Sequence, residues 1–160
     1  PFAKILASEE LYNAYPEDDI HFRGGWQIFS EDLYSAAGLG PEDINLLQTY
    51  DDYPVIVMLQ LEDLGFCKKG EAADFIRNTS LNWNGDGLPH NTCGGQLSAG
   101  QAGAAGGFIG LVESIKQLTR TGLKNAVSEA NIALVSGYGM VIYDRCLSSN
   151  AAILSRGDND

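Results

Sequence analysis

Two short polar stretches combine side chains that can hold or move a proton with residues that favour tight turns. Residues 50–53 read Tyr-Asp-Asp-Tyr directly after an apolar run, and residues 89–92 read Pro-His-Asn-Thr shortly before the pair Gly94 and Gly95. The phenol of Tyr50 can hydrogen-bond a developing alkoxide, or accept its proton if the phenol pKa is lowered. The glycine-containing turn precedes a helical pattern, so its backbone N–H groups can bind an anion or a polarised oxygen.

Several of these residues also have a purely structural interpretation. Asp51 and Asp52 precede Pro54, which suits the first turn of a helix, and we expect both carboxylates to cap that helix. For Tyr50 we favour a functional role. His90 could reach the same cleft, but it ranks below Tyr50 because turn histidines are commonly exposed.

The elements that must position these groups alternate along the chain. Apolar runs predict strands at residues 3–7, 44–49, 132–137, 140–143 and 151–155, with a glycine turn joining the third and fourth. Helical patterns predict helices at residues 30–37, 54–64, 104–118 and 125–130, with Ser30 as the first N-cap, a short helix after Gly70, and a long loop at residues 9–26. This alternation predicts an α/β layer fold.

Composition excludes several classes of function. The 160 residues carry a formal net charge of −11 without a basic cluster, so nucleic acid is not an expected partner. The chain lacks an apolar stretch of about 20 residues and a signal-peptide pattern, so we expect no membrane span and a cytoplasmic location. Cys67, Cys93 and Cys146 lack CxxC spacing, and His21 and His90 lack ligand spacing, so we expect reduced cysteines and no metal site.

Three separated motifs, in the expected order, resemble the thiolase superfamily. Residues 59–71 (LQLEDLGFCKKGE) resemble the L-E-D-L-G-F-C-x-x-G-E motif of its sterol-carrier-protein branch, and residues 37–53 resemble a thiolase strand that ends in a short polar motif. Residues 91–100 resemble the N-x-x-G-G segment that precedes G-H-P in thiolases, with matches at Asn91, Gly94, Gly95 and Gly100. We therefore identify the chain as similar to the C-terminal half of this branch, which includes thiolase-like steroid side-chain aldolases.

The resemblance implies one C-terminal thiolase-like domain over residues 1–160, with a mixed five-stranded sheet and helices on both faces. It places the nucleophilic cysteine and most of the coenzyme A site in an N-terminal half outside this chain. A coenzyme A thioester is the implied substrate, and we expect this chain itself to bind no cofactor. Because Pro1 rather than Met begins the sequence, we expect a cleavage product, a mature subunit or a truncated piece.

The sequence departs from thiolases at the catalytic positions. Gln101 stands where the family has its catalytic histidine; it cannot act as a general base, but it can donate to an oxyanion or hold a water. Tyr50 stands at an oxyanion-hole position and resembles the Y-D-D-F of the aldolases. We therefore predict that Tyr50 and Gln101 are catalytic and face one cleft. The predicted substrate-binding residues are His90, Asn91, Gly94, Gly95, Ser136 and Gly137, with Ser136 in place of the family's second cysteine.

Two classes of function stay open at this point, with a bare truncated fragment as a third. The first is half of an acyl-CoA-acting enzyme that makes or breaks a carbon–carbon bond next to a thioester, either by thiolysis or by aldol chemistry through Tyr50. The second is a non-catalytic subunit that binds an acyl ligand or supports a partner. Cys93 reads as a small buried filler and Cys67 as structural.

The helix predicted at residues 104–118 implies a partner. Large apolar residues occupy one of its faces, whereas Gly103, Gly106 and Gly110 occupy another. One sheet can cover only one face, and in the thiolase fold the equivalent helix lies between two halves. We therefore expect the glycine face to lack a partner within this chain. The expected occupants are an N-terminal thiolase half or a second copy, and the resemblance adds a possible zinc-containing OB-fold subunit that binds acyl-CoA.

Overall fold

The computed structural model describes residues 1–18, 22–101, 103–142 and 145–157, and it places helices on both sides of one mixed sheet. The strands are β1 (Phe2–Tyr12), β2 (Leu46–Gln48), β3 (Ile132–Ile142) and β4 (Arg145–Gly157), and the helices are α1 (Trp26–Ala37), α2 (Pro54–Asp63), α3 (Ala72–Asn78), α4 (Gly95–Ala99) and α5 (Phe108–Thr119). The strand order is β1-β4-β3-β2, with β2 parallel to β3 and the other pairs antiparallel. The predicted α/β fold is confirmed, with four described strands instead of five.

The difference in strand number comes from two glycines in β3. Residues 132–137 and 140–142 form one continuous strand instead of two, and residue 143 lies outside the described part of the chain. A Cβ at Gly137 would lie 2.6 Å from the Asn150 side-chain oxygen, so the glycine permits close approach to β4 and makes no turn. At the β2 edge, Leu47 forms an isolated parallel bridge with His90, which extends the sheet there.

Each face of the sheet has its own apolar core because side chains alternate along the strands. Leu47 and Leu134 point to one core, where α1 and α2 supply Trp26, Leu33 and Leu61. Their sequence neighbours in the strands belong to the opposite core, which contains Leu118 of α5. The helices on both faces of the sheet thus follow from strands that are apolar at consecutive positions.

Two predictions near the start of the chain are wrong. Helix α1 begins at Trp26, because the N–H of Gly24 donates to Asp63 (2.6 Å) and the N–H of Gly25 to Ser149 (2.9 Å); Ser30 therefore lies inside the helix and does not cap it. β1 continues to Tyr12, into the predicted loop, because β4 pairs with it along that length. Of that loop, residues 19–21 lie outside the described chain.

Residues 125–130 do not form the predicted helix. The carbonyl oxygens of Val127 and Ser128 accept hydrogen bonds from the Arg120 guanidinium, and the carbonyl of Asn125 accepts one from Gln117. Because side chains of the preceding segment satisfy these backbone groups, the loop is held without helical hydrogen bonds.

Helix α5 faces the sheet with Gly110 and Leu118, so Gly110 has a partner within the chain, opposite to the prediction. A 3-10 turn at Gly103–Ala105 precedes it, so the helix begins four residues later than predicted. A Cβ at Gly110 would lie 3.1 Å from the Cβ of Gln48, so Gly110 lets the helix approach β2 closely. The large side chains of Phe108, Val112 and Ile115 are instead 61%, 49% and 39% exposed. The face without a partner is therefore the apolar one.

Candidate active site

A cavity of about 550 Å³ lies between the carboxyl end of β2, the α4 segment, the start of α5 and the middle of β3. It brings together the predicted residues Tyr50, Gln101, Asn91, Gly95, Ser136 and Gly137. Among the described residues that line it, the titratable side chains are Tyr50, Cys93 and Tyr138, and none is a histidine, a carboxylate, a lysine or an arginine. The chemistry available within this wall is therefore that of phenols, a thiol and neutral amides.

Tyr50 is held from three directions. Its hydroxyl donates to the Asp52 carboxylate at 3.0 Å, and its ring stacks on Tyr138 with the centroids 5.3 Å apart. Burial raises the pKa of Tyr50, the hydrogen bond to Asp52 raises it further, and a hydrogen bond from Gln101 partly offsets both. Tyr50 is therefore a protonated phenol at neutral pH, and by itself it is not a base.

The backbone of Tyr50 is positioned by a glutamine that sequence patterns did not single out. Gln60 of α2 is fully buried; its Nε2 donates to the Tyr50 carbonyl (2.8 Å), and its Oε1 accepts from the Tyr50 N–H (3.2 Å). The same Oε1 accepts a hydrogen bond from the Ser136 hydroxyl at 2.6 Å. One amide thus fixes the ends of β2 and the middle of β3 relative to α2, and the Ser136 hydroxyl is committed to it. The sequence did contain a signal for this role, because Gln60 is a polar residue within the apolar pattern of α2.

The predicted turn binds β2 through side chains. Asn91 accepts from the Thr49 N–H (2.9 Å) and donates to the Thr49 carbonyl (3.1 Å), in a left-handed conformation that asparagine tolerates. His90 shares a 2.7 Å hydrogen bond with the Thr49 hydroxyl, and burial lowers its pKa to about 4. His90 is therefore neutral at pH 7, and it is not among the described residues that line the cavity. Both residues hold the edge of the site.

Asp51 does not cap α2, contrary to the prediction, and neither does Asp52. The N-cap of that helix is Tyr53, without a side-chain bond. The buried Asp51 carboxylate instead accepts the N–H of Gln96 at 2.7 Å, at the start of α4. A Cβ on Gly95 would lie 2.0 Å from this carboxylate, so glycine is required there. Gly94, also left-handed, is the N-cap of α4. Gly95 therefore permits the approach of Asp51, whereas a Cβ at Gly94 would lie 2.9 Å from the Cβ of Ser98.

A buried polar network lies behind the cavity wall. Gln48, which lines the cavity, donates to the Thr92 hydroxyl at 3.1 Å, and that hydroxyl donates to the Glu113 carboxylate at 2.6 Å. Gln117 also donates to Glu113, at 2.9 Å, and Asn125 donates to the Thr92 carbonyl. The network therefore joins the cavity wall to the inner side of α5.

The cysteines occupy different surroundings. Cys93 lines the cavity, and burial raises the pKa of its thiol, so it is protonated at neutral pH. Cys67 lies elsewhere, and burial with neighbouring carboxylates raises its pKa to about 11. The side chain of Cys146 lies outside the described part of the structure. Within the described residues, no group of three or more potential ligands could hold a metal ion.

Comparison with known proteins places the fold. Residues 10–156 match the family described as Thiolase C-terminal domain-like. The chain belongs to this family. It is 37% identical over 132 residues to a steroid side-chain-cleaving aldolase of Thermomonospora curvata, an alignment that covers 82% of the chain and 33% of the relative. It is 35% identical over 113 residues to the 17-hydroxy-3-oxo-4-pregnene-20-carboxyl-CoA lyase of Mycobacterium tuberculosis, covering 71% of the chain and 28% of the relative.

A solved structure described as an Ltp2-ChsH2(DUF35) aldolase superposes with a TM-score of 0.78 at 30% identity, covering 98% of this chain and 40% of that one. These matches confirm the predicted membership of the thiolase superfamily and its similarity to the aldolases. The chain spans about a third of the length of these curated relatives. No helix in the described residues is long and apolar enough to cross a membrane.

Proposed function

We propose that this chain is the C-terminal half of a thiolase-like aldolase that cleaves a carbon–carbon bond next to a coenzyme A thioester. The proposal rests on the cavity wall. Its described residues include Tyr50 and Tyr138 and do not include a histidine. Thiolysis needs a thiolate and a base for the proton next to the thioester. Gln101 supplies no base, and the Cys93 thiol has a raised pKa.

The reaction that suits these groups is retro-aldol cleavage of a β-hydroxyacyl thioester. The proton of the β-hydroxyl group leaves towards Tyr50 as the Cα–Cβ bond breaks, and a ketone or aldehyde forms. The electron pair passes to the thioester as an enolate, which the amide N–H of Gln101 can stabilise. Protonation of Cα then yields the shortened acyl thioester. The names of the two most similar relatives described above, an aldolase and a CoA lyase, support this chemistry.

The coenzyme itself must be bound largely outside this chain. Coenzyme A carries phosphates, whereas the chain has a formal net charge of −11 and no lysine or arginine among the described cavity residues. Phosphate recognition favours arginine and lysine. We therefore assign the phosphates to the N-terminal half or to a subunit of the DUF35 type, the partner named in the solved structure. The zinc-containing OB-fold subunit stays part of this proposal.

The test is a cleavage assay on the natural protein, assembled with its N-terminal half and a DUF35 subunit. A β-hydroxyacyl-CoA should release a ketone or aldehyde without added coenzyme A, whereas this chain alone should show no turnover. Product formation that requires added coenzyme A would establish thiolysis instead. If the assembled protein binds acyl-CoA without cleaving it, the chain is a non-catalytic subunit.

The apolar face of α5 is the proposed docking surface for the N-terminal half. Phe108, Val112 and Ile115 recur at helical spacing and are exposed together, and Leu97 of α4 is also 59% exposed. An apolar stripe of this kind is unusual on an isolated soluble domain. The N-terminal half is the proposed occupant because the matched part is only 33% of the aldolase of Thermomonospora curvata and 40% of the solved chain, so both contain a large additional portion. A second copy of this chain is the alternative occupant.

Substitution Val112→Glu should weaken binding of the separately expressed N-terminal half by at least tenfold, because it buries an unpaired carboxylate. Titration calorimetry gives the affinity, and size-exclusion chromatography with light scattering gives the stoichiometry. Val55→Glu, on α2 and 60% exposed, is the matched control and should bind normally. Self-association abolished by Val112→Glu would point to a second copy. If the native chain is a monomer and does not bind the N-terminal half, the proposed docking surface is refuted.

A further inference from the structure

Asp52 is the carboxylate connected to Tyr50, although it is not among the described residues that line the cavity. The Tyr50 hydroxyl donates a 3.0 Å hydrogen bond to Asp52 Oδ2, which links a carboxylate outside the described cavity lining to a phenol within it. Asp52 has no capping role that would explain its position, since the N-cap of α2 is Tyr53 and no side chain caps the helix. The side chain is only partly buried, so its outer side can exchange protons with solvent.

We propose that Tyr50 and Asp52 form a proton relay, in which Asp52 is the positioning residue and final proton acceptor and acts through the phenol. This inference rests on the aldolase function proposed above. A neutral phenol cannot keep a second proton, so a relay must pass its own proton onward. The geometry gives that proton one direct carboxylate destination, Asp52. It thereby supplies a base to a cavity whose described wall contains no carboxylate and no imidazole.

The relay balances without another reactant. The β-hydroxyl O–H bond breaks, its proton bonds to the Tyr50 oxygen, and the original phenol proton bonds to Asp52. The hydroxyl electron pair forms the new C=O bond, while the Cα–Cβ pair moves to Cα as the thioester enolate. Return of one proton from Asp52 through Tyr50 to Cα completes the acyl product and restores both side chains. No electron is gained or lost by the protein.

The relay also depends on the rigidity of the phenol. Tyr138 stacks on the Tyr50 ring, and Trp26 stacks on Tyr138 with centroids 6.1 Å apart, so the three rings form one column. Gln60 fixes the Tyr50 backbone on both sides of the peptide. Because the ring and the backbone are held separately, the hydroxyl keeps its direction towards Asp52 during turnover.

The test is Asp52→Ala in the assembled natural protein, with β-hydroxyhexanoyl-CoA as the probe. We expect kcat to fall between tenfold and a hundredfold with KM changed by less than about threefold. Sodium acetate or formate, but not chloride, should restore much of the lost rate, because a small carboxylate can occupy the vacated site. The double variant Tyr50→Phe/Asp52→Ala should be no slower than Tyr50→Phe alone, since both residues serve one step.

Asp51→Ala is the matched control, because Asp51 is a buried neighbouring carboxylate that holds the Gln96 N–H. It should lower stability and show no rescue by acetate. Asp52→Glu should retain more activity than Asp52→Ala, and rescue of Asp52→Ala by acetate excludes a failure to fold as the cause of its loss. An Asp52→Ala variant with native kcat, or with a loss that adds fully to that of Tyr50→Phe, overturns the relay. A wild-type protein that cleaves no β-hydroxyacyl-CoA overturns the proposed function itself.

Discussion

Tyr50→Phe should lower kcat for carbon–carbon cleavage by about a thousandfold in the assembled protein, within the range typical of a lost general acid or base. The substitution removes one hydroxyl and leaves the ring to stack on Tyr138. Gln60 is hydrogen-bonded to the backbone of Tyr50, so these two bonds persist in the variant. Steady-state kinetics with a β-hydroxyacyl-CoA measure the effect, and KM should change little because the hydroxyl acts in the chemical step.

Tyr53→Phe is the control for this prediction. Tyr53 lies in the same short motif, is 57% exposed, and is not among the described cavity residues, so its substitution should leave kcat near the native value. Asp52→Asn should cost far less than Tyr50→Phe, because the amide oxygen can still accept the hydrogen bond of the phenol and keep it in place, although it cannot take up the proton. Equal rates for Tyr50→Phe and the native protein would remove Tyr50 from the mechanism.

Gly95→Ala should lower the free energy of unfolding by about 2–5 kcal/mol, combining left-handed strain with overpacking against a buried carboxylate. The backbone φ at Gly95 is 61°, and the new Cβ would lie 2.0 Å from an Asp51 oxygen. Relief requires Asp51 to move and to lose its bond to the Gln96 N–H. Urea denaturation of the assembled protein measures the loss.

Gly38→Ala separates the two contributions to that cost. Gly38 ends α1 with a φ of 68°, close to that of Gly95, but a Cβ there meets nothing within 4 Å. Its substitution should therefore cost only about 1–2 kcal/mol of left-handed strain. If Gly95→Ala proves no more costly than Gly38→Ala, the Asp51 contact does not constrain the turn.

The sequence motifs indicated which residues lie near one cleft, but they did not indicate which hydrogen bonds those residues make. Tyr50 and Gln101 lie 51 positions apart, and only the resemblance to thiolases indicated that they share a cleft; both line the cavity. Asp51 could not be assigned from sequence, because an aspartate before Pro54 has the pattern of a helix cap. Its partner at Gln96 depends on tertiary packing, which local patterns do not encode.

The orientation of α5 was also beyond the sequence pattern. A helix with a large-residue face and a glycine face fits a sheet in two ways, and hydrophobicity alone favours burying the large residues. In the structure Gly110 faces the sheet, where its lack of a side chain lets the helix approach the Cβ of Gln48. Gly137 raised the same ambiguity, since a glycine within apolar residues suits a turn as well as a close contact between strands.

The hydrogen bonds from Gln48 through Thr92 to Glu113 connect α5 to the cavity wall, so this helix takes part in two surfaces of the molecule. Its outer side is the proposed docking face, and its inner side carries the buried carboxylate that holds the cavity wall. In the isolated C-terminal half the outer face of α5 is exposed to solvent. The cavity wall is then held only by the contacts on the inner side of the helix. We expect assembly to tighten the cavity, so that carbon–carbon cleavage begins only when both halves are in place.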